Sequence, residues 1–207
     1  MGKKLVFSPH IDDEVLGCGG ILNSDCIVIY AGADESSIDD SFSRPSMEER
    51  LKELQEVTNI TGHSFEILPN KVNNYKERDM LPCLESAINR YKPEEVYVPH
   101  PSYNKDHKEM YNAAITALRP HDTNHFVNRA FVYEQPHMFF WDHAGVRFEA
   151  NYFVPIDIDR KIRLYTCMES QVRSFRSPDH IKSLAKLRGA QCNSDYAEAF
   201  QLIRWAE

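Results

Sequence analysis

The stretch Ser8-Pro9-His10-Ile11-Asp12-Asp13-Glu14 sets one imidazole and two adjacent carboxylates between the apolar run Leu5-Val6-Phe7 and a glycine-bearing stretch, Val15-Leu16-Gly17-Cys18-Gly19-Gly20. Imidazole nitrogen and carboxylate oxygen are donors suited to zinc, and a neighbouring carboxylate that does not bind the metal can take a proton from the water on it. The same acids could also serve as helix caps, where negative charge complements the macrodipole. A second cluster shifts the balance. Asn104-Lys105-Asp106-His107 follows Val96-Tyr97-Val98-Pro99-His100-Pro101 and opens a helical pattern through Met110, Ala114, Ile115 and Leu118. His10, Asp13 and His107 then give two imidazoles and a carboxylate, with Asp106 available to orient one of them or the substrate. Three protein ligands plus water mark catalytic rather than structural zinc.

Both clusters lie where a β-type run gives way to a helical start, the end of a strand at which open α/β sheets place their chemistry. Strands are expected at 5–7, 26–31, 64–68, 96–101 and 130–134, the second an unbroken apolar run that suits a central parallel strand. Helices are expected at 14–23, 46–59, 80–91, from 104 onward, at 158–173, and at 179–188 with Gly189 as C-cap. In the second helix Ser46 is the N-cap, Glu49 completes a capping box, and Met47, Leu51, Leu54 and Val57 face inward. Pro82 is placed in the first turn of the third. Gly17, Gly19 and Gly20 weaken the first helix and point to close packing on the sheet or approach of a ligand. Cys18 beside them reads as a small buried apolar residue.

This alternation specifies an α/β fold: a Rossmann-like, doubly wound, mainly parallel sheet with helices on both faces, residues 1–207 forming a single domain. With strand order 3-2-1-4-5, strands one and four lie side by side at the topological switch point, and the two motifs converge there.

The 207 residues suffice for a sizeable core, with 42% hydrophobic and 11% aromatic residues. No apolar run reaches the length of a bilayer span. Five cysteines without a Cys-x-x-Cys pair, and no secretory signal pattern after Lys3-Lys4, predict a cytoplasmic protein. A formal charge of −7 argues against nucleic acid as a main partner. Nothing in the chain argues against a homo-oligomer. Residues 136–151, with Phe139-Phe140-Trp141, read as a substrate wall or lid, with core packing of those rings as the alternative. His121 and His125 fall in an exposed turn.

The motifs resemble those of the zinc-dependent PIG-L/LmbE-like de-N-acetylases. Ser8-Pro9-His10-Ile11-Asp12-Asp13-Glu14 is similar to the first family motif, with Ile11 where a proline is usual. Asn104-Lys105-Asp106-His107 is similar to the second, with Asn104 where a histidine often stands. Arg50 and Glu53 match an Arg-x-x-Glu pair found after the second strand, for which a solvated helix pair is the alternative reading. Lys161, Ser170-Gln171, Arg188-Gly189 and Tyr196-Ala197-Glu198-Ala199-Phe200 look like a sugar-modifying branch.

The resemblance implies Zn²⁺ on His10, Asp13 and His107, Asp12 as general base and then acid, and Asp106 and Asn104 beside them in catalysis. The substrate would be an N-acetylated amino sugar or its nucleotide, lipid or glycoside conjugate, contacted by Arg50, His100, Trp141 and Arg188. Because Asn104 carries no imidazole, His100, His137 or His143 could supply one to stabilise the oxyanion. Other classes stay open: another metal-dependent amide or phosphoester hydrolase, or an inactive Rossmann-like binding module. Gly17-Cys18-Gly19-Gly20 is not a dinucleotide fingerprint, and no Gly-x-Ser-x-Gly elbow is present.

Overall fold

The computed structural model describes residues 2–34, 45–120, 122–139 and 147–207. Their strands form one seven-stranded sheet, and six helices pack on its faces. In chain order the elements are β1 (Lys4–Ser8), α1 (Asp13–Cys18), β2 (Cys26–Asp34), α2 (Met47–Thr61), β3 (Ser64–Lys71), α3 (Glu77–Tyr91), β4 (Glu95–Pro99), α4 (Lys105–Ala117), β5 (Arg129–Tyr133), β6 (Tyr152–Pro155), α5 (Ile158–Thr166), α6 (Pro178–Gln191) and β7 (Ala197–Trp205). Short 3₁₀ turns occupy Pro136–Phe139, Glu169–Gln171 and Ser174–Arg176.

The order is β3-β2-β1-β4-β5-β7-β6. The first five strands are parallel, as the alternation specifies, and β1 pairs with both β2 and β4. β7 runs antiparallel between β5 and β6, and the sequence pattern reveals neither β6 nor β7. Leu5, Val6, Phe7, Val28, Ile29, Val96 and Val98 are almost completely buried, because helices cover both faces of the central strands.

Several boundaries differ from expectation, each for a local reason. α1 stops at Cys18, and its glycines serve packing. A Cβ on Gly17 would lie 2.2 Å from the Tyr133 ring, and one on Gly20 2.2 Å from Ile156 Cγ2. Ser46 and Glu49 do form the capping box of α2, but Met47 is exposed rather than inward. α3 begins at Glu77, whose backbone N–H donates to Glu109 on α4, so Pro82 lies inside the helix and not in its first turn. α5 ends at Thr166, since Tyr165 Oη reaches the carbonyls of Gln171 and Arg176 and folds the segment back. α6 runs through Gly189 to Gln191, so Gly189 is no C-cap. A Cβ there would meet the Ser194 carbonyl at 2.6 Å.

Candidate active site

Since β1 and β4 are neighbours, the segments leaving them, 9–12 and 100–104, open on the same edge of the sheet. α1 starts at Asp13 and α4 at Lys105, where Asn104 is the N-cap and its side chain accepts from Asp106 N–H at 2.9 Å. The two helix starts bring Asp13 and His107 together from distant positions in the chain. Asp13 Oδ2 lies 3.2 Å from His10 Nδ1 and 3.3 Å from His107 Nε2, and one donor atom from each residue lies within 4.8 Å of the others. Asp13 and His107 are buried, and all three residues line a cavity of about 520 Å³. Two imidazoles and a carboxylate on a cavity wall fit a zinc ion by donor chemistry, with room for water or substrate.

Asp106 stands behind this group. Its Oδ2 is 3.1 Å from His10 Nε2 and accepts from Asn73 N–H at 2.7 Å, so it fixes the far side of the His10 ring. Burial opposes protonation of His10, yet Asp106 and Asp13 raise its pKa to about 10. Burial likewise opposes ionisation of Asp13, while His107 and His10 hold its carboxyl well below the usual range. Glu14 turns inward instead, accepting from Asp12 N–H at 3.0 Å, and burial together with the Asp12 charge pushes it up to about 8.

Asp12 lies on the cavity wall beside the three donors, and its Oδ2 is 3.0 Å from Arg176 Nη1. Arg176 sits on the 3₁₀ turn Ser174–Arg176 and was not among the residues expected at the site. It lies just past the expected helix 158–173, in a turn without periodicity, and the one available signal is the pair Arg173 and Arg176 just beyond Ser170-Gln171. His137 also lines the cavity, its ring 5.3 Å from that of His107, and its Nε2 is buried without a hydrogen-bond partner among the described residues. Burial and the neighbouring His107 lower the His137 pKa to about 3.

The other expected residues divide by geometry. Asn104 and Arg50 line the cavity. Arg50 is buried and donates from Nη2 to the Ile11 carbonyl, and Glu53 accepts from Ser170 N–H and Oγ at 2.7 and 2.6 Å. The Arg-x-x-Glu pair is therefore a brace from α2 to two loops and not a solvated ion pair. His100 is not in the cavity lining: it is buried, its Nδ1 accepts from Ser102 N–H at 3.1 Å, and burial lowers its pKa to about 4. Arg188 is not in the cavity lining and forms an ion pair with buried Glu134, Nε to Oε2 at 2.9 Å. Lys161 and Glu198 form a second buried pair at 2.6 Å that clamps the end of α1 through Leu16 O and Gly20 N–H. Trp141, Phe140, His143 and His121 lie outside the described residues, as does the Phe139 side chain.

Comparison with known proteins places these features in context. A family profile described as "PIG-L: GlcNAc-PI de-N-acetylase" matches residues 5–118, which contain both motifs and most of the parallel sheet. Among solved structures, the conserved protein TT1542 from Thermus thermophilus superposes with a TM-score of 0.79 at 24% identity, covering 100% of this chain and 97% of that one. The N,N'-diacetylchitobiose deacetylase from Pyrococcus horikoshii has a TM-score of 0.76 at 20% identity, covering 98% and 84%. GalB, the 4-carboxy-2-hydroxymuconate hydratase from Pseudomonas putida, has a TM-score of 0.76 at 22% identity, covering 100% and 99%. A comparison with curated proteins gave no match. No described helix is long and apolar enough to cross a membrane.

Proposed function

The chain belongs to the PIG-L family of GlcNAc-PI de-N-acetylases, and from that membership we propose that it is a zinc-dependent hydrolase removing the N-acetyl group from an amino sugar or its nucleotide-, lipid- or glycoside-linked conjugate. The observation that carries this reading is the convergence of His10, Asp13 and His107 on one cavity wall with Asp12 beside them. A zinc ion held by the three would polarise the amide oxygen and lower the pKa of a water molecule.

The chain's own groups supply the rest. Asp12 has one oxygen tied to Arg176, which leaves Oδ1 to accept the proton of the attacking water and return it to the departing amine. Acetate and a free amino sugar result. Asn104 uses Oδ1 to cap α4, so its Nδ2 is the donor left over. Together with an N–H of the neutral His137 imidazole it would donate to the amide oxygen as negative charge develops there. Asp106, which is not in the cavity lining, would act by positioning His10.

Metal analysis of the purified protein before and after chelation, combined with acetate release from N-acetylglucosamine compounds, tests the proposal. Stoichiometric zinc with acetate release supports it. Zinc without acetate release from any of them favours a different metal-dependent reaction, such as the hydration named for GalB. A protein that holds no metal would instead be a binding module.

A further inference from the structure

The carbonyl of Ile11 and the N–H of Asp12 belong to one peptide group, and the two ends of that group are held from different parts of the chain. Arg50 Nη2, on α2, donates to the Ile11 carbonyl, and Glu14 Oε2 accepts from Asp12 N–H at 3.0 Å. A trans peptide is planar and points its carbonyl and its N–H in opposite directions, so the two bonds fix the plane from both sides. The Asp12 side chain leaves from the next backbone atom, and its Oδ2 is tied in turn to Arg176 Nη1 at 3.0 Å. Arg50 is only 4% exposed, and its bond goes to this main-chain oxygen and not to a carboxylate among the described residues. Burying a guanidinium against one carbonyl is costly, which points to a task that an apolar side chain of similar size would not perform.

The same helix holds the other side of the Asp12–Arg176 pair. Glu53, three residues on from Arg50 and so on the same face of α2, accepts from Ser170 N–H at 2.7 Å and from Ser170 Oγ at 2.6 Å. Gln171 follows directly. Its Nε2 donates to Ser170 Oγ at 3.0 Å, and its carbonyl accepts from the buried Tyr165 hydroxyl, which also reaches the Arg176 carbonyl. We infer that Arg50 and Glu53 are positioning residues for Asp12, Arg50 fixing its backbone and Glu53 the segment that carries Arg176. This rests on the deacetylase reading, in which Asp12 carries the proton, and adds α2 as the frame that aims it. Neither residue acts on a reacting atom itself.

The test is a double-mutant cycle on acetate release by the zinc-loaded protein, for the N-acetylglucosamine compound that the parent turns over best, beside NMR exchange of the Asp12 amide with and without zinc. In Arg50→Ala, kcat is expected to fall by about tenfold to a hundredfold, with KM within about twofold of the parent and zinc content kept. Arg50→Lys, whose ammonium can still donate to the carbonyl, should recover part of kcat. In an Asp12→Asn background, where no base remains to be aimed, Arg50→Ala should cost less than about threefold more, because groups that act as a unit are not additive. Exchange of the Asp12 amide should rise by about tenfold or more in Arg50→Ala, a readout that needs no turnover. Where Arg50→Ala fails to fold, Glu53→Ala carries the cycle from a half-buried position, with an expected kcat loss of about threefold or more that again vanishes in the Asp12→Asn background. A raised KM with unchanged kcat would make Arg50 a substrate contact, overturning the inference and leaving the deacetylase reading intact. An equal loss in both backgrounds also overturns it, since the residues would then support the fold alone. Faster Asp12 exchange in the variants without acetate release from the parent supports the clamp on Asp12 and removes the deacetylase reading. Unchanged exchange with unchanged kcat overturns the clamp.

Discussion

Arg176 Nη1 stands 3.0 Å from Asp12 Oδ2, so a carboxylate set by the first motif is held by a guanidinium from the far end of the chain. Removing the restraint should loosen the geometry of proton transfer. In Arg176→Ala we expect kcat to fall by about tenfold to a hundredfold, the scale of an ångström-sized misplacement. KM for a neutral substrate should change much less, and Arg176→Lys should recover part of kcat. An unchanged kcat would mean that the pair only neutralises charge.

Asp12→Asn keeps the side-chain shape and removes the proton acceptor. Turnover should drop by about 10²–10⁴-fold while zinc content stays at the parent level. Activity within about tenfold of the parent would assign Asp12 to the ion pair with Arg176 alone.

His107→Ala removes one of three donors. Metal content measured after gel filtration should fall sharply, and zinc should no longer raise the melting temperature, whereas the parent gains about 2.7 kcal/mol at a hundredfold excess over Kd. Full occupancy in the variant would exclude His107 as a ligand.

Gly17→Ala tests packing rather than chemistry. Its Cβ would enter the ring of Tyr133, whose hydroxyl donates to the Phe7 carbonyl at 2.9 Å. Overpacking of this kind costs about 1–3 kcal/mol, readable as a lower urea midpoint. An unshifted midpoint would show that the ring can move aside.

His63 is buried beside Thr61, and burial lowers its pKa to about 4 from an ordinary 6.5. Between these values the unfolded chain binds a proton that the folded chain does not, so this contribution is present above pH 6.5 and is lost as pH falls towards 4. Glu14, raised to about 8, works in the opposite sense over part of the range. The clean measurement is therefore the stability difference between parent and His63→Gln, which should move against the parent by about 1.4 kcal/mol per pH unit in that window. A pH-independent difference would place a protonated imidazole at this site.

Much of the site was legible because its residues leave strands that are apolar on both faces. The runs at Leu5, Val28 and Val96 announce buried parallel strands, and their order places His10 and His107 together without knowledge of any contact. The caps at Ser46 and Asn104 were legible for a similar reason, since N-cap chemistry is local. β7 was hidden because Gln201 and Arg204 break its apolar pattern and its partners are distant in sequence. Arg176 was hidden because a 3₁₀ turn carries no periodicity. Arg188 and Arg176 are alike as residues, and it takes the fold to show that Arg188 pairs with buried Glu134 while Arg176 reaches Asp12 in the cavity wall.

The position of β7 also sets the timing of assembly. β5 ends at Tyr133, but the strand that covers its open side begins at Ala197, and β6 pairs with that same strand. A ribosome adding about 5–20 residues per second needs several seconds to bridge that gap. Throughout that interval the nascent sheet presents the unpaired backbone of β5 to other chains. Chaperone demand during synthesis should therefore peak between the emergence of β5 and that of β7, and end when the last strand slots between its two neighbours.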